Sequence, residues 1–97
     1  MEFRISARVR EKLQQKHGVA VEEIYQAFMN REGPSFRDDR EDHQTEPPTQ
    51  WFIAETDCGR RLKIVYVQYE DFFAIKSAFD ANETWISLYN ELCKKHG

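Results

Sequence analysis

The chain has 97 residues, of which 40% are hydrophobic, enough for one modest core and too few for a second. Its 17 acidic residues outnumber its 14 basic ones and give a formal net charge of −3. This balance excludes the overall basic field that drives nonspecific binding to nucleic acids, so any site for a polyanion must be local. No apolar run approaches the ~20 residues that a membrane helix needs. We therefore expect a single domain over residues 1–97 with no membrane contact.

A short strand and two helices are predicted in the N-terminal third. Apolar and charged residues alternate up to Ser6, a residue type that favours a helix N-cap. Apolar residues then recur at helical spacing, and Gly18 suits the left-handed position after a helix, so the first helix is predicted to end near His17. The segment VEEIYQAFMN at 21–30 has one apolar stripe and two acidic residues in its first turn. It predicts a second helix.

A long loop and a small sheet are predicted next. Residues 31–50 hold all three prolines, which forbids a continuous helix and predicts a loop with a short strand near Phe36. Three β-type runs follow, WFIAETD, LKIVYVQY and FFAIKSAF, and their separations suit hairpins. They predict a three-stranded antiparallel meander over 51–79. Helical spacing in NETWISLYNELCKKHG at 82–97 predicts a C-terminal helix and completes an α+β fold.

The two cysteines, Cys58 and Cys93, have neither CxxC nor metal-ligand spacing, and the residues MEFRISARVR contain no apolar stretch of signal-peptide length. The acidic residues of the long loop match no EF-hand spacing and are interspersed with arginines, which favours a solvated loop over a Mg²⁺ or Ca²⁺ site. These acidic residues are Asp38, Asp39, Glu41 and Asp42. We therefore expect a reduced, cytoplasmic protein without a metal or cofactor.

Three segments carry a family resemblance: QKHGVAVEEIYQAF at 15–28, WFIAETDCGRRLKIVYV at 51–67, and IKSAF followed ten residues later by Tyr89. In this order they resemble the BrnT-like toxins of bacterial type II toxin–antitoxin systems, whose fold belongs with the RelE-type ribonucleases. The resemblance covers nearly the whole chain. It implies metal-independent RNA cleavage, with RNA as substrate and a cognate antitoxin as partner.

The implied chemistry requires a base that removes the proton from a ribose 2′-hydroxyl and cations that stabilise charge at the phosphorus. We assign Arg61 and Lys76 as phosphate ligands on neighbouring strands. The family carries an arginine and a histidine just before the first meander strand, and these correspond to Arg40 and His43. His43 is the candidate base, and a solvated loop histidine is the equal alternative.

Four further residues are candidates for substrate binding: Arg60, Lys63, Tyr66 and Tyr89. Alternation along the strand puts Arg61 and Lys63 on one face and Arg60 on the other, unless a bulge intervenes. Alternatively, Arg60 and Arg61 are solvated side chains of an exposed turn. Tyr66 and Tyr89 are alternatively core residues whose hydroxyl groups are hydrogen-bonded within the protein. His17 is predicted to be a structural helix cap.

One departure from the family pattern predicts weakened catalysis. Phe79 stands where the family's third meander strand ends in an arginine, which removes a phosphate ligand. The alternative function is therefore a noncatalytic protein-binding or regulatory module on the same fold. Natural anchors for a partner would be Trp51, Phe72 and Trp85, provided that they are exposed.

Overall fold

The computed structural model describes residues 2–38 and 47–96. Three helices and a five-stranded mixed sheet form the described part, which confirms the predicted α+β class. The strands are β1 (Glu2–Arg4), β2 (Phe36–Arg37), β3 (Thr49–Glu55), β4 (Arg61–Gln68) and β5 (Phe72–Asp80). The helices are α1 (Ala7–Lys12), α2 (Val21–Met29) and α3 (Glu83–His96).

The first helix begins and ends at the predicted residues, but its second half is wider than an α-helix. The Ser6 hydroxyl accepts a hydrogen bond from the Val9 N–H, as an N-cap does. α1 continues into a π-helical segment, Leu13–His17, which ends at Gly18 with φ +58°. The Gly18 and Val19 N–H groups both donate to the Leu13 carbonyl, and these bonds close the wider turn. Leu13 itself is buried in the core.

The sheet order is β1-β5-β4-β3-β2. The antiparallel meander predicted over 51–79 is confirmed as β3, β4 and β5, and the short strand near Phe36 is confirmed as β2. The sequence did not indicate that β1 pairs in parallel with β5, through Phe3 opposite Phe73. This pairing brings the start of α1 beside the middle of β5.

A bulge interrupts the pairing of β4 with β5. Val65 pairs with Ser77 and Tyr66 pairs with Ile75, so Lys76 has no partner on β4. An extra residue of this kind bends a strand and redirects its side chain. Lys76 is exposed.

Helices cover both faces of the sheet. On one face, Phe28 of α2 packs edge-on against Phe52 and Tyr66, with ring centroids 4.8 and 5.4 Å apart. On the other face, Trp51 contacts Trp85 and Tyr89 of α3 at 5.4 and 5.7 Å. Among the helices of 2–38 and 47–96, none is long and apolar enough to cross a membrane.

Candidate nucleic-acid interface

All three nitrogens of the Arg60 guanidinium donate hydrogen bonds to other groups of the protein. Its Nε and Nη2 donate to the two Asp80 carboxylate oxygens at 2.6 and 3.0 Å, and its Nη1 donates to Glu23 Oε1 at 3.0 Å. The backbone carbonyls of His17 and Gly18 accept two further bonds. Arg60 thus joins the π-helical segment, α2 and the end of β5. Its donors are used within the protein, so neither a solvated turn nor phosphate binding describes it.

This network shifts the ionisation of its members. The hydrogen bonds from Arg60 hold the pKa of Asp80 below its usual range, and the charges of Arg60 and His17 act in the same direction. The hydrogen bonds to Asp80 and then to Glu23 raise the pKa of Arg60, which keeps it charged at any working pH.

We expect an acid-sensitive contribution to stability from the Asp80 carboxylate. A carboxyl group whose pKa is lowered by folding stabilises the protein above its unfolded pKa, near 4, and loses this contribution as the pH falls towards its folded pKa. Urea unfolding between pH 7 and pH 3 gives the free energies of unfolding of the parent and of Asp80→Asn, and the difference between them should shrink below about pH 4. A difference that stays constant over that range would contradict this role of the Asp80 carboxylate.

Arg61 and Lys63 lie on the opposite face from Arg60, as the alternation predicts, but their environments differ. Arg61 is half exposed and pairs with Glu55 at 3.2 Å, directly across the hairpin. Lys63 is 3% exposed, and its ammonium nitrogen lies 3.1 Å from the centroid of the Trp85 ring. A buried cation over an aromatic face stabilises packing. Lys63 is therefore not accessible to a polymeric substrate in this conformation.

Tyr66 and Tyr89 are core residues with hydrogen-bonded hydroxyl groups, which was the alternative to a role in substrate binding. Tyr66 is 2% exposed and donates from its hydroxyl to Ser35 Oγ at 2.6 Å. Tyr89 is 7% exposed and donates to the Pro34 carbonyl at 2.7 Å. Burial, and then the neighbouring Cys93 thiol, raise the pKa of Tyr89 and keep its hydroxyl neutral. Both side chains hold the segment before β2 against the sheet.

Lys76 lies in a surface pocket with two arginines that the sequence analysis did not select. Arg4, Arg10 and Lys76 line this pocket together with Ser6 and apolar residues, and none of the described residues in its lining is acidic. We call it the basic pocket. Arg10 and Lys76 form no ion pair with any described residue, whereas Arg4 pairs with Glu2. The pocket therefore offers two uncompensated cations and a third that a neighbouring acid partly balances.

A larger pocket between α2, β3 and α3 is less suited to an anion. It holds Arg31 and Arg61, but also three carboxylates, Glu32, Glu55 and Asp57. The structure thus separates the two predicted phosphate ligands: Arg61 lines this mixed pocket and Lys76 lines the basic one. They do not converge on a single cleft.

Some of the residues singled out in the sequence lie outside the part of the chain that the structure describes. Arg40 and His43 lie outside the described residues, as do Asp39, Glu41 and Asp42. His17 ends the π-helical segment and lies 5.6 Å from the Phe79 ring, which agrees with a structural role. Over the described ranges, no three His, Cys, Asp or Glu side chains cluster as metal ligands would.

Neither a protein-family model nor a curated protein sequence matches the chain.

Proposed function

We propose that the protein binds RNA through the basic pocket and acts as a toxin-like, metal-independent endoribonuclease. The observation that carries the proposal is the convergence of Arg4, Arg10 and Lys76, with no acid among the described residues that line the pocket. On a chain with net charge −3, such a local cluster is what a phosphate backbone requires. The pocket also contains Lys76, a lone cation in an apolar strand, which is one of the two phosphate ligands predicted from the sequence.

Cleavage by this chemistry is an in-line displacement at phosphorus. The ribose 2′-oxygen forms a bond to the adjacent phosphorus while the bond to the 5′-oxygen breaks. A base takes the 2′-hydroxyl proton, and an acid returns a proton to the leaving 5′-oxygen. Lys76 and Arg10 would stabilise the negative charge that grows on the phosphate oxygens. His43 stays the predicted base and Arg40 a predicted catalytic residue, while Phe79 in place of an arginine predicts slow cleavage.

Replacing Lys76 or Arg10 with alanine is expected to weaken RNA binding by about five- to tenfold and to lower the slope of log K against log salt by about one. Each change removes one phosphate contact and leaves the core intact, because Lys76 and Arg10 are exposed and unpaired among the described residues. The measurement is fluorescence anisotropy with a labelled single-stranded RNA over a salt series. Gel analysis of the same mixtures tests cleavage.

Lys94→Ala on α3 is the matched control, because Lys94 is an exposed cation far along the chain from the pocket. It should change neither affinity nor salt slope. Parent-like binding by both pocket variants would overturn the basic pocket as the RNA site. Binding that depends on Lys76 without cleavage would overturn the nuclease step alone.

A second candidate function, binding of a partner protein, is favoured by the edge of β3. Among the described residues, β2 pairs with β3 only at Gln50 and Trp51, and the Asp38 N–H bonds to the Thr49 carbonyl. By alternation, the Ile53 N–H and C=O point away from β4, on the side of the larger pocket that Ile53 lines. An extended peptide could add to this edge. Of the three predicted aromatic anchors, Trp51 is not available to a partner, because it is 5% exposed and packs against α3, whereas Phe72 and Trp85 are half-buried.

A further inference from the structure

Two stacked aromatic side chains stand at the turn between β4 and β5. The Tyr69 and Phe72 rings lie 4.8 Å apart with an interplanar angle of 23°. The Tyr69 N–H donates to the Phe72 carbonyl at 2.8 Å, which closes the turn and fixes the backbone beneath the two rings. Tyr69 is 38% exposed, while Phe72 is half-buried behind it. The pair thus presents a supported aromatic surface to solvent.

Arg4 connects this aromatic pair with the basic pocket. Its guanidinium lies 3.9 Å from the centroid of the Phe72 ring, and the same side chain lines the pocket beside Lys76. Lys76 lies four residues after Phe72 along β5, a separation of roughly 13 Å. A ligand that reaches both ends must therefore be an oligomer.

The charges along this surface indicate which part of a nucleic acid lies where. Glu70 and Asp71 are exposed at the tip of the turn, and Glu2 pairs with Arg4 nearby. These carboxylates repel phosphate at the aromatic end, whereas Lys76 and Arg10 attract it at the other end. An uncharged base face suits the Tyr69 ring, because aromatic side chains stack on bases of any sequence.

We infer that Tyr69, supported by Phe72, is a stacking platform for an unpaired base of an RNA strand whose phosphates bind at Lys76 and Arg10. The inference rests on the proposed function. It adds a requirement for single-stranded RNA, because the bases of a duplex are stacked on one another and cannot lie on a protein side chain.

The test measures the binding of three RNA probes of equal length: a single strand, the same strand with abasic sites, and a duplex. Tyr69→Ala is expected to weaken binding of the single strand about tenfold and to leave binding of the abasic strand and the duplex unchanged. Tyr69→Phe should bind like the parent, because it keeps the ring. Lys76→Ala should weaken binding of all three probes.

Tyr25→Ala is the matched control, because Tyr25 is a similarly exposed tyrosine, at 41%, that lies on α2 and not at the turn between β4 and β5. Parent-like binding of the single strand by Tyr69→Ala, with binding still dependent on Lys76, would overturn the platform and leave the proposed function standing. Equal losses on the base-bearing and abasic strands would also overturn it. RNA binding that depends on neither Tyr69 nor Lys76 would overturn the proposed function itself.

Discussion

Replacing Arg60 with alanine is expected to lower the free energy of unfolding by about 2 kcal/mol, whereas the same change at Arg61 should alter it by less than about 0.5 kcal/mol. The two arginines are adjacent in sequence but differ in their contacts and in their exposure. The Arg60 side chain is 28% exposed and bonds to two carboxylates and two carbonyls. Arg61 is 54% exposed and has one surface partner.

The size of the Arg60 effect follows from the groups that it would leave behind. Glu23 is 26% exposed and would keep its bond from the Ala20 N–H but lose its cation. Asp80 is 67% exposed and would be solvated by water, so its loss contributes less. The carbonyls at the end of the π-helical segment would also lose their donor. The sum is a moderate loss rather than the larger one of a fully buried pair.

Urea unfolding of Arg60→Ala, Arg60→Lys and Arg61→Ala at pH 7 and moderate salt measures these differences. Arg60→Lys should lie between the parent and Arg60→Ala, because an ammonium group keeps the charge but cannot fork between both carboxylates. Equal stabilities of the two alanine variants would show that Arg60 is an ordinary surface arginine. Such a result would return it to the candidates for RNA binding.

The partners of Arg60 show where prediction from sequence stops. Local patterns predicted the helices, the meander and the side on which Arg60 lies, because periodicity and capping act over a few residues. Glu23 and Asp80 are 37 and 20 residues away from Arg60 along the chain. Charged residues of both signs are common in this sequence, and only the folded arrangement selects which of them meet.

The basic pocket was missed for a related reason. Lys76 stood out in the sequence as a lone cation in an apolar strand, but Arg4 and Arg10 resembled ordinary surface residues of β1 and α1. The parallel pairing of β1 with β5 brings them to Lys76, and the bulge leaves Lys76 exposed beside them. Pairing across 70 residues has no local signal. The burial of Lys63 beneath Trp85 likewise depends on where α3 packs.

The second large effect is expected at Gly33, where a methyl group should lower the free energy of unfolding by about 2 kcal/mol. A Cβ at this position would lie 2.5 Å from the Tyr89 hydroxyl oxygen and 3.3 Å from Cys93 Sγ. The Tyr89 hydroxyl cannot retreat without cost, because Tyr89 is buried and its hydroxyl is bonded to the Pro34 carbonyl. The backbone at 33 therefore needs glycine to lie this close to α3.

A double-mutant cycle with Tyr89→Phe separates this steric effect from a general preference for glycine. Tyr89→Phe alone should cost about 1 kcal/mol, because the Pro34 carbonyl loses its donor. In the double variant the nearest atom to the new methyl group is gone, so the combined loss should fall short of the sum by about 1 kcal/mol. Urea unfolding of the four proteins gives this coupling energy directly.

Gly59→Ala supplies the contrast, because its cost should have a different origin. Gly59 has φ +84°, and a Cβ there would meet no atom within 4 Å. The expected loss of about 1 kcal/mol comes from backbone strain alone and should add to that of Tyr89→Phe without coupling. Strict additivity at Gly33 as well would contradict the steric account. Coupling at Gly33, together with parent-like RNA binding by Tyr89→Phe, would assign the Tyr89 hydroxyl to packing of the segment before β2 and remove it from the predicted substrate ligands.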